Sequence, residues 1–116
     1  MSLAVHGIAS CDACRKARKW LDAERIPFEW NDLRADGVDA ARVRGWLEVV
    51  GAHRLVNRRS ATWRSLPESE RPALDDPDLA GFLVGHPALI KRPVFELGDD
   101  GLVGFDEAAR AWLSRN

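Results

Sequence analysis

Leu3-Ala4-Val5-His6-Gly7-Ile8-Ala9-Ser10-Cys11-Asp12-Ala13-Cys14-Arg15-Lys16-Ala17-Arg18-Lys19-Trp20-Leu21 is the stretch whose reading decides the fold. A short apolar run opens it and predicts a strand over residues 3–7. A loop follows, then a C-x-x-C pair. Beyond the pair, Ala13, Ala17, Trp20 and Leu21 recur at helical spacing and predict a helix over about residues 12–24. Strand, loop, C-x-x-C and helix together read as a redox-active thiol pair. The chemistry is local. Unpaired backbone N–H groups and the helix dipole at a helix N-terminus favour a negative charge on Cys11. The thiolate is the nucleophile. Cys14 lies one turn further on, within reach of a mixed disulfide formed on Cys11.

Outward from this stretch the pattern stays regular for a while. Pro27 separates the helix from a short alternating strand, Phe28-Glu29-Trp30-Asn31. Asp36-Gly37 marks a turn. Asp39 is a good N-cap for a second helix with Val43, Trp46, Leu47 and Val50 inward and Gly51 ending it. Ser60 to Leu66 predicts one short helix. Asp76-Pro77, a cap followed by proline at the first helical position, predicts a helix with Leu79, Phe82 and Leu83 inward, ended by His86-Pro87. Residues 93–97 predict a strand, Gly98-Asp99-Asp100-Gly101 a hairpin turn and residues 102–105 the returning strand. Asp106 caps a last helix that packs Ala109, Trp112 and Leu113. The order is β-α-β-α, a helical middle, then β-β-α. That is an α/β fold with a mixed sheet, thioredoxin-like with a helical insertion between its two halves.

Composition narrows the function. The chain of 116 residues is expected to form a single domain over residues 1–116. Its 17 Lys+Arg and 18 Asp+Glu give a net charge of −1, against bulk binding to nucleic acid or an anionic membrane. No apolar run approaches membrane-spanning length, and no signal-peptide pattern opens the sequence. A cytoplasmic setting is expected, where a disulfide is transient rather than structural. A zinc site needs four ligands, and His6, His53 and His86 lack the paired spacing to complete one, so no metal is expected. The five tryptophans fall mostly on helical core stripes.

Four ordered motifs carry a resemblance over nearly the whole chain. The segment from Gly7 to Leu21 resembles the active-site segment of the arsenate reductase (ArsC)/Spx family. Asn57-Arg58-Arg59-Ser60-Ala61-Thr62-Trp63-Arg64-Ser65-Leu66 is similar to its central segment. His86-Pro87-Ala88-Leu89-Ile90-Lys91-Arg92-Pro93-Val94 is similar to its H-P-x-L-I-x-R-P signature. Gly104-Phe105 before an acidic helix cap is similar to its C-terminal element. The Gly-Ile opening and Thr62-Trp63-Arg64 place the resemblance with the YffB-like subgroup.

The resemblance implies a thiol-dependent reductase that uses glutathione as co-substrate and holds no bound cofactor. Cys11, Cys14 and Arg92 are its expected catalytic residues, and Asn57, Arg58, Arg92 and Pro93 its expected substrate contacts. On the residues alone, Arg92-Pro93 reads either as a trans proline opening an edge strand or as a cis proline facing the cysteine. The family signature implies the cis form, with Arg92 aimed at the sulfur. Arg15, Lys16, Arg58 and Arg59 are open between site residues and solvated surface. Arsenate reductases of the family hold the oxyanion with three arginines; here Arg92 matches one, while Asn57 and Gly104 stand at the other places. The family's histidine four residues before the cysteine is replaced by Gly7, and its serine or threonine by Cys14. The Spx regulators share that second cysteine and bind RNA polymerase. The expected function is therefore a glutathione-dependent thiol–disulfide oxidoreductase. The alternatives are an Spx-like redox-sensing regulator or an arsenate reductase proper.

Overall fold

In the computed structural model, which describes residues 2–116, the chain divides into two compact units. One comprises the chain up to Asp36 together with Arg92–Asn116, and the other is Gly37–Lys91. The first contains the whole sheet. Strand β1 (Leu3–Gly7) pairs in parallel with β2 (Phe28–Asp32) and antiparallel with β3 (Val94–Leu97), which in turn pairs antiparallel with β4 (Asp100–Val103). The order is β2-β1-β3-β4, a mixed sheet with β1 and β3 at its centre. Helix α1 (Asp12–Ala23) makes the crossover between the parallel strands, and α6 (Glu107–Arg115) follows β4.

Alternation along the strands decides which face each residue takes. Leu3 and Val5 on β1, with Phe95 on β3, face Ala17 and Leu21 of α1 and Ala109 and Leu113 of α6. These residues form the first unit's apolar core, rimmed by Trp20, Phe28, Trp30 and Phe105. His6 points to the opposite face and is 1% exposed. There it meets Asn31 of β2, whose Nδ2 donates to Nδ1 at 3.2 Å, and Glu96 of β3, whose Oε1 accepts from Nε2 at 2.9 Å. The neutral imidazole protonated on Nε2 satisfies both bonds.

The second unit is the helical insertion. Asp39 caps α2 (Ala40–Val50) by accepting from the Arg42 N–H at 2.8 Å, and Gly51, at φ 86°, ends it. A one-turn helix α3 (Ala52–Leu55) follows. Ser60 caps α4 (Ala61–Ser65) through the Trp63 N–H. Helix α2 packs on α5 (Leu79–Gly85), burying Val43 and Trp46 with Leu79 and Leu83. An antiparallel bridge, Val56 to Ile90, is flanked by Asn57 N–H to Leu89 O and Lys91 N–H to Leu55 O, each 2.7 Å.

The boundaries correct the sequence reading in a few places. Helix α5 starts at Leu79, with Asp78 rather than Asp76 at its N-cap. The Asp76 carboxylate instead accepts from the Asp78 N–H at 2.8 Å and closes a turn ahead of the helix, so Pro77 lies outside it. Leu47 and Val50 of α2 are only half-buried, and Val43 and Trp46 carry that helix's contact. The hairpin is tighter than expected. Leu97 pairs with Asp100, leaving a two-residue loop of Gly98 and Asp99. Gly98 takes φ 61°, the left-handed value such a loop wants at its first central position. The proline of the expected strand over residues 93–97 lies just before β3.

Candidate active site

The carboxyl end of β1 delivers the chain to the N-terminus of α1. A turn closes between them as the Cys11 N–H donates to the Ile8 carbonyl at 2.9 Å. Cys11 is the N-cap, in extended conformation, and makes no side-chain capping bond. The first-turn N–H groups are thus available to a thiolate. Both cysteines are free; Cys11 is partly exposed and Cys14 fully buried.

Their surroundings separate their acidities. Burial pushes the Cys11 thiol up, but the Cys14 backbone N–H, the Cys14 thiol and the Arg92 guanidinium together outweigh it and hold Cys11 below its ordinary value. Burial pushes Cys14 up to about 12, and the neighbouring Cys11 charge adds to that rise against the Ile8 backbone N–H and Arg92. Of the two sulfurs, Cys11 is the more easily ionised.

Arg92, just ahead of β3, comes to Cys11 because β3 lies beside β1. The Arg92–Pro93 peptide bond is cis, as the family signature implied. Pro93 is buried, and its carbonyl accepts from the Gly104 N–H at 2.8 Å. Gly104 stands where the resemblance places a third arginine, and it takes φ 83°. An arginine there would be held in left-handed backbone, which costs about 1 kcal/mol or more.

Gly7 has a steric reason. A Cβ built on it would run into Cys14 Sγ and would lie 3.0 Å from Trp30 Cη2. The histidine one position earlier belongs to the other sheet face and does not take the family histidine's place.

Other predicted residues fall elsewhere. Arg15 and Lys16 are exposed and pair with Asp12 at 3.4 and 3.2 Å, while Asp12 is held below its ordinary value by Lys16 first and then Arg15. Asn57 and Arg58 belong to the second unit. Asn57 is half-buried and its carbonyl accepts from the Ser60 hydroxyl at 2.9 Å; Arg58 is exposed, with Nη2 3.4 Å from His53 Nδ1. His86 caps the C-terminus of α5, its Nδ1 donating to the Phe82 carbonyl at 2.9 Å. No cluster of three or more His, Cys, Asp or Glu suited to a metal occurs among the described residues. No helix among them is long and apolar enough to cross a membrane.

Sequence reading missed Asp32 and the His6–Asn31–Glu96 group. Both depend on which residues of separate strands lie side by side. For Asp32 the available signal was an acid at a strand end, which is also an ordinary turn residue.

A family model described as the ArsC family matches residues 6–111. The chain belongs to the ArsC family. Within the family's neighbourhood, it is 38% identical over 105 residues to an uncharacterized protein of Haemophilus influenzae, covering 90% of this chain and 92% of that protein. It is 28% identical over 113 residues to Global transcriptional regulator Spx 2 of Bacillus anthracis, covering 93% and 84%. The solved structure of YFFB (PA3664) superposes with a TM-score of 0.88 at 36% identity, covering 97% of this chain and 98% of that one. A glutaredoxin of Archaeoglobus fulgidus, at 14% identity and TM-score 0.52 over 99% and 87%, shares the thioredoxin-like fold. The ArsC-family chain thus has the fold its sequence predicted, and it resembles YffB.

Proposed function

We propose that this ArsC-family chain is a thiol–disulfide oxidoreductase that draws its electrons from glutathione. One observation carries the reading. A partly exposed cysteine stands at a helix N-terminus beside Arg92, which helps to hold its thiol below the ordinary value, while a second cysteine lies buried one turn on with its thiol pushed up. The Cys11 thiolate attacks one sulfur of a substrate disulfide. A bond forms between Cys11 and that sulfur, the substrate S–S bond breaks, and the other sulfur leaves as a thiolate that takes up a proton. Cys14, on losing its proton, attacks the Cys11 sulfur and releases the second substrate thiolate. The substrate has gained two electrons and the cysteine pair has lost two. Two glutathione thiols return them and leave as glutathione disulfide. Arg92 stabilises the negative charge of the free Cys11 thiolate before it attacks.

The scheme assigns no bound cofactor and no metal, and a cytoplasmic setting belongs to the same proposal. The parts of Asn57, Arg58 and Pro93 in holding substrate rest on the family resemblance; Arg58→Ala should raise KM for the substrate and spare kcat. The test of the whole reading is turnover of a glutathionylated protein with glutathione, glutathione reductase and NADPH. A rate that disappears in Cys11→Ser is expected. No rate above the uncatalysed exchange would overturn the enzyme reading.

The relative named as an Spx regulator favours a second reading, a redox-sensing regulator that binds RNA polymerase. Retention of RNA polymerase from lysate by the reduced or oxidised protein, with no disulfide turnover, is the result that would select it.

A further inference from the structure

We propose that Asp32 is a positioning residue for the Cys11 loop, its two carboxylate oxygens divided between that loop and the turn after β2. The inference rests on the reading of Cys11 as the attacking thiol. The backbone explains why the position needs a side chain. The β1–β2 ladder ends as the Leu33 N–H donates to the Gly7 carbonyl at 2.7 Å. On a strand, the Ala9 N–H would point the same way as the Gly7 carbonyl, toward the neighbouring strand. The chain beyond Asp32, however, turns through residues 33–36, and Ala9 bonds to a side chain instead. Asp32 Oδ2 accepts from the Ala9 N–H at 2.9 Å.

The other oxygen is occupied too. Asp32 Oδ1 accepts from the Arg34 N–H at 2.9 Å and the Ala35 N–H at 3.0 Å, which fixes the turn that follows β2. The carboxylate therefore ties a turn anchored in the sheet to the loop between Ile8 and Cys11. Two residues after Ala9, the Cys11 N–H closes the same loop on Ile8. The Ala35 and Ala9 N–H groups also hold the Asp32 carboxyl below its ordinary value, so the link is intact at neutral pH. The acidity of Cys11 depends on aim: its sulfur must meet the Cys14 N–H and Arg92. Pinning Ala9 holds the chain two residues before Cys11, as α1 holds it after.

Two roles for Asp32 predict opposite signs. A bystander anion would raise the Cys11 pKa, so removing it would lower that pKa. A positioning residue, once removed, lets the sulfur drift from its donors and raises it. The experiment follows alkylation of Cys11 by iodoacetamide against pH, with the labelled peptide identified by mass spectrometry and the fold checked by circular dichroism. For Asp32→Ala the apparent Cys11 pKa should rise by about half to one unit, a roughly three- to tenfold loss of rate below that pKa. Asp32→Asn has one acceptor oxygen for two loops and should fall between Asp32→Ala and wild type; it decides the matter if Asp32→Ala does not fold. Asp36→Ala is the control for general loosening. Asp36 accepts from the Asp32 N–H at 2.8 Å and leaves the Ala9 bond in place, so its Cys11 pKa should match wild type.

An unchanged or lowered pKa in the folded Asp32 variants overturns the positioning role alone. So does an equal rise in Asp36→Ala. Wild-type protein that labels Cys14 before Cys11 would overturn the thiol assignment beneath, and this inference with it.

Discussion

Cys11 and Cys14 are one residue type three positions apart, and their environments drive them in opposite directions. Arg92 is the contact among these that substitution can remove without touching the cysteines. Arg92→Ala should move the rise of Cys11 alkylation rate to higher pH, since the cation stabilises only the ionised form. Thiolate absorbance against pH checks it; an unchanged curve would mean that the guanidinium contributes nothing at the sulfur. Once Cys11 is tied up in a mixed disulfide, its charge no longer opposes ionisation of Cys14, and the second thiol becomes more acidic at the step that needs it. Gly7 carries a different constraint. Gly7→Ala should destabilise the reduced protein by about 1–3 kcal/mol, because the added methyl meets the Cys14 sulfur. Cys14→Ala should relieve most of that cost, and the coupling in a double-mutant cycle of urea midpoints measures it. At this scale the place of the cysteine pair at the head of α1 was legible from its motif, and that of Arg92 beside Cys11 only through the family signature. Asp32 was not, because its bond to Ala9 joins a side chain to a backbone in another part of the chain.

Among the elements, helix starts were the most legible. Asp39, Ser60 and Asp106 each accept from the N–H three residues on, and all were read from the sequence as helix openings. The Asp76-Pro77 pair obeyed the same rule and failed, because a turn closed by the Asp76 carboxylate intervenes before α5. Four turn-forming residues in a row, Gly98 to Gly101, read as a four-residue turn, whereas pairing with β3 takes Asp100 and Gly101 into β4. Asp106→Ala should cost about 1 kcal/mol, read as a lower urea midpoint, by exposing the first turn of α6. Helix α1 differs, since its N-cap is Cys11, which makes no side-chain capping bond, and its stability comes from Ala17 and Leu21 in the core. Leu21→Ala should cost about 2–5 kcal/mol. Cys14 in the same helix gives a pH signature. A thiol whose folded pKa is raised above its unfolded value stabilises the fold below the unfolded value and loses that contribution as pH rises toward about 12. The urea midpoint of reduced protein should therefore fall between about pH 9 and 12, and Cys14→Ala should flatten the decline.

For the molecule, the fold class was legible because strand, thiol pair and helix sit together at the start and a β-β-α ending mirrors them. The cross-strand group of His6, Asn31 and Glu96 was not, since register joins residues from three strands and no local pattern encodes it. The same distribution of residues bears on oxyanion chemistry. With Asn57 and Gly104 at two of the three arginine places, and Gly104 in left-handed backbone, arsenate reduction with glutathione and glutaredoxin should be weak or absent. A robust arsenate-dependent rate would show that other donors serve. The sheet-bearing unit is also discontinuous: its first part ends at Asp36 and its second begins at Arg92. This orders events during translation. The cysteines leave the ribosome early, while the strand that completes the sheet's centre and the cation beside Cys11 are made only after the whole insertion. A nascent chain thus carries both thiols without the Arg92 cation, and the full surroundings of Cys11 come together only late in synthesis.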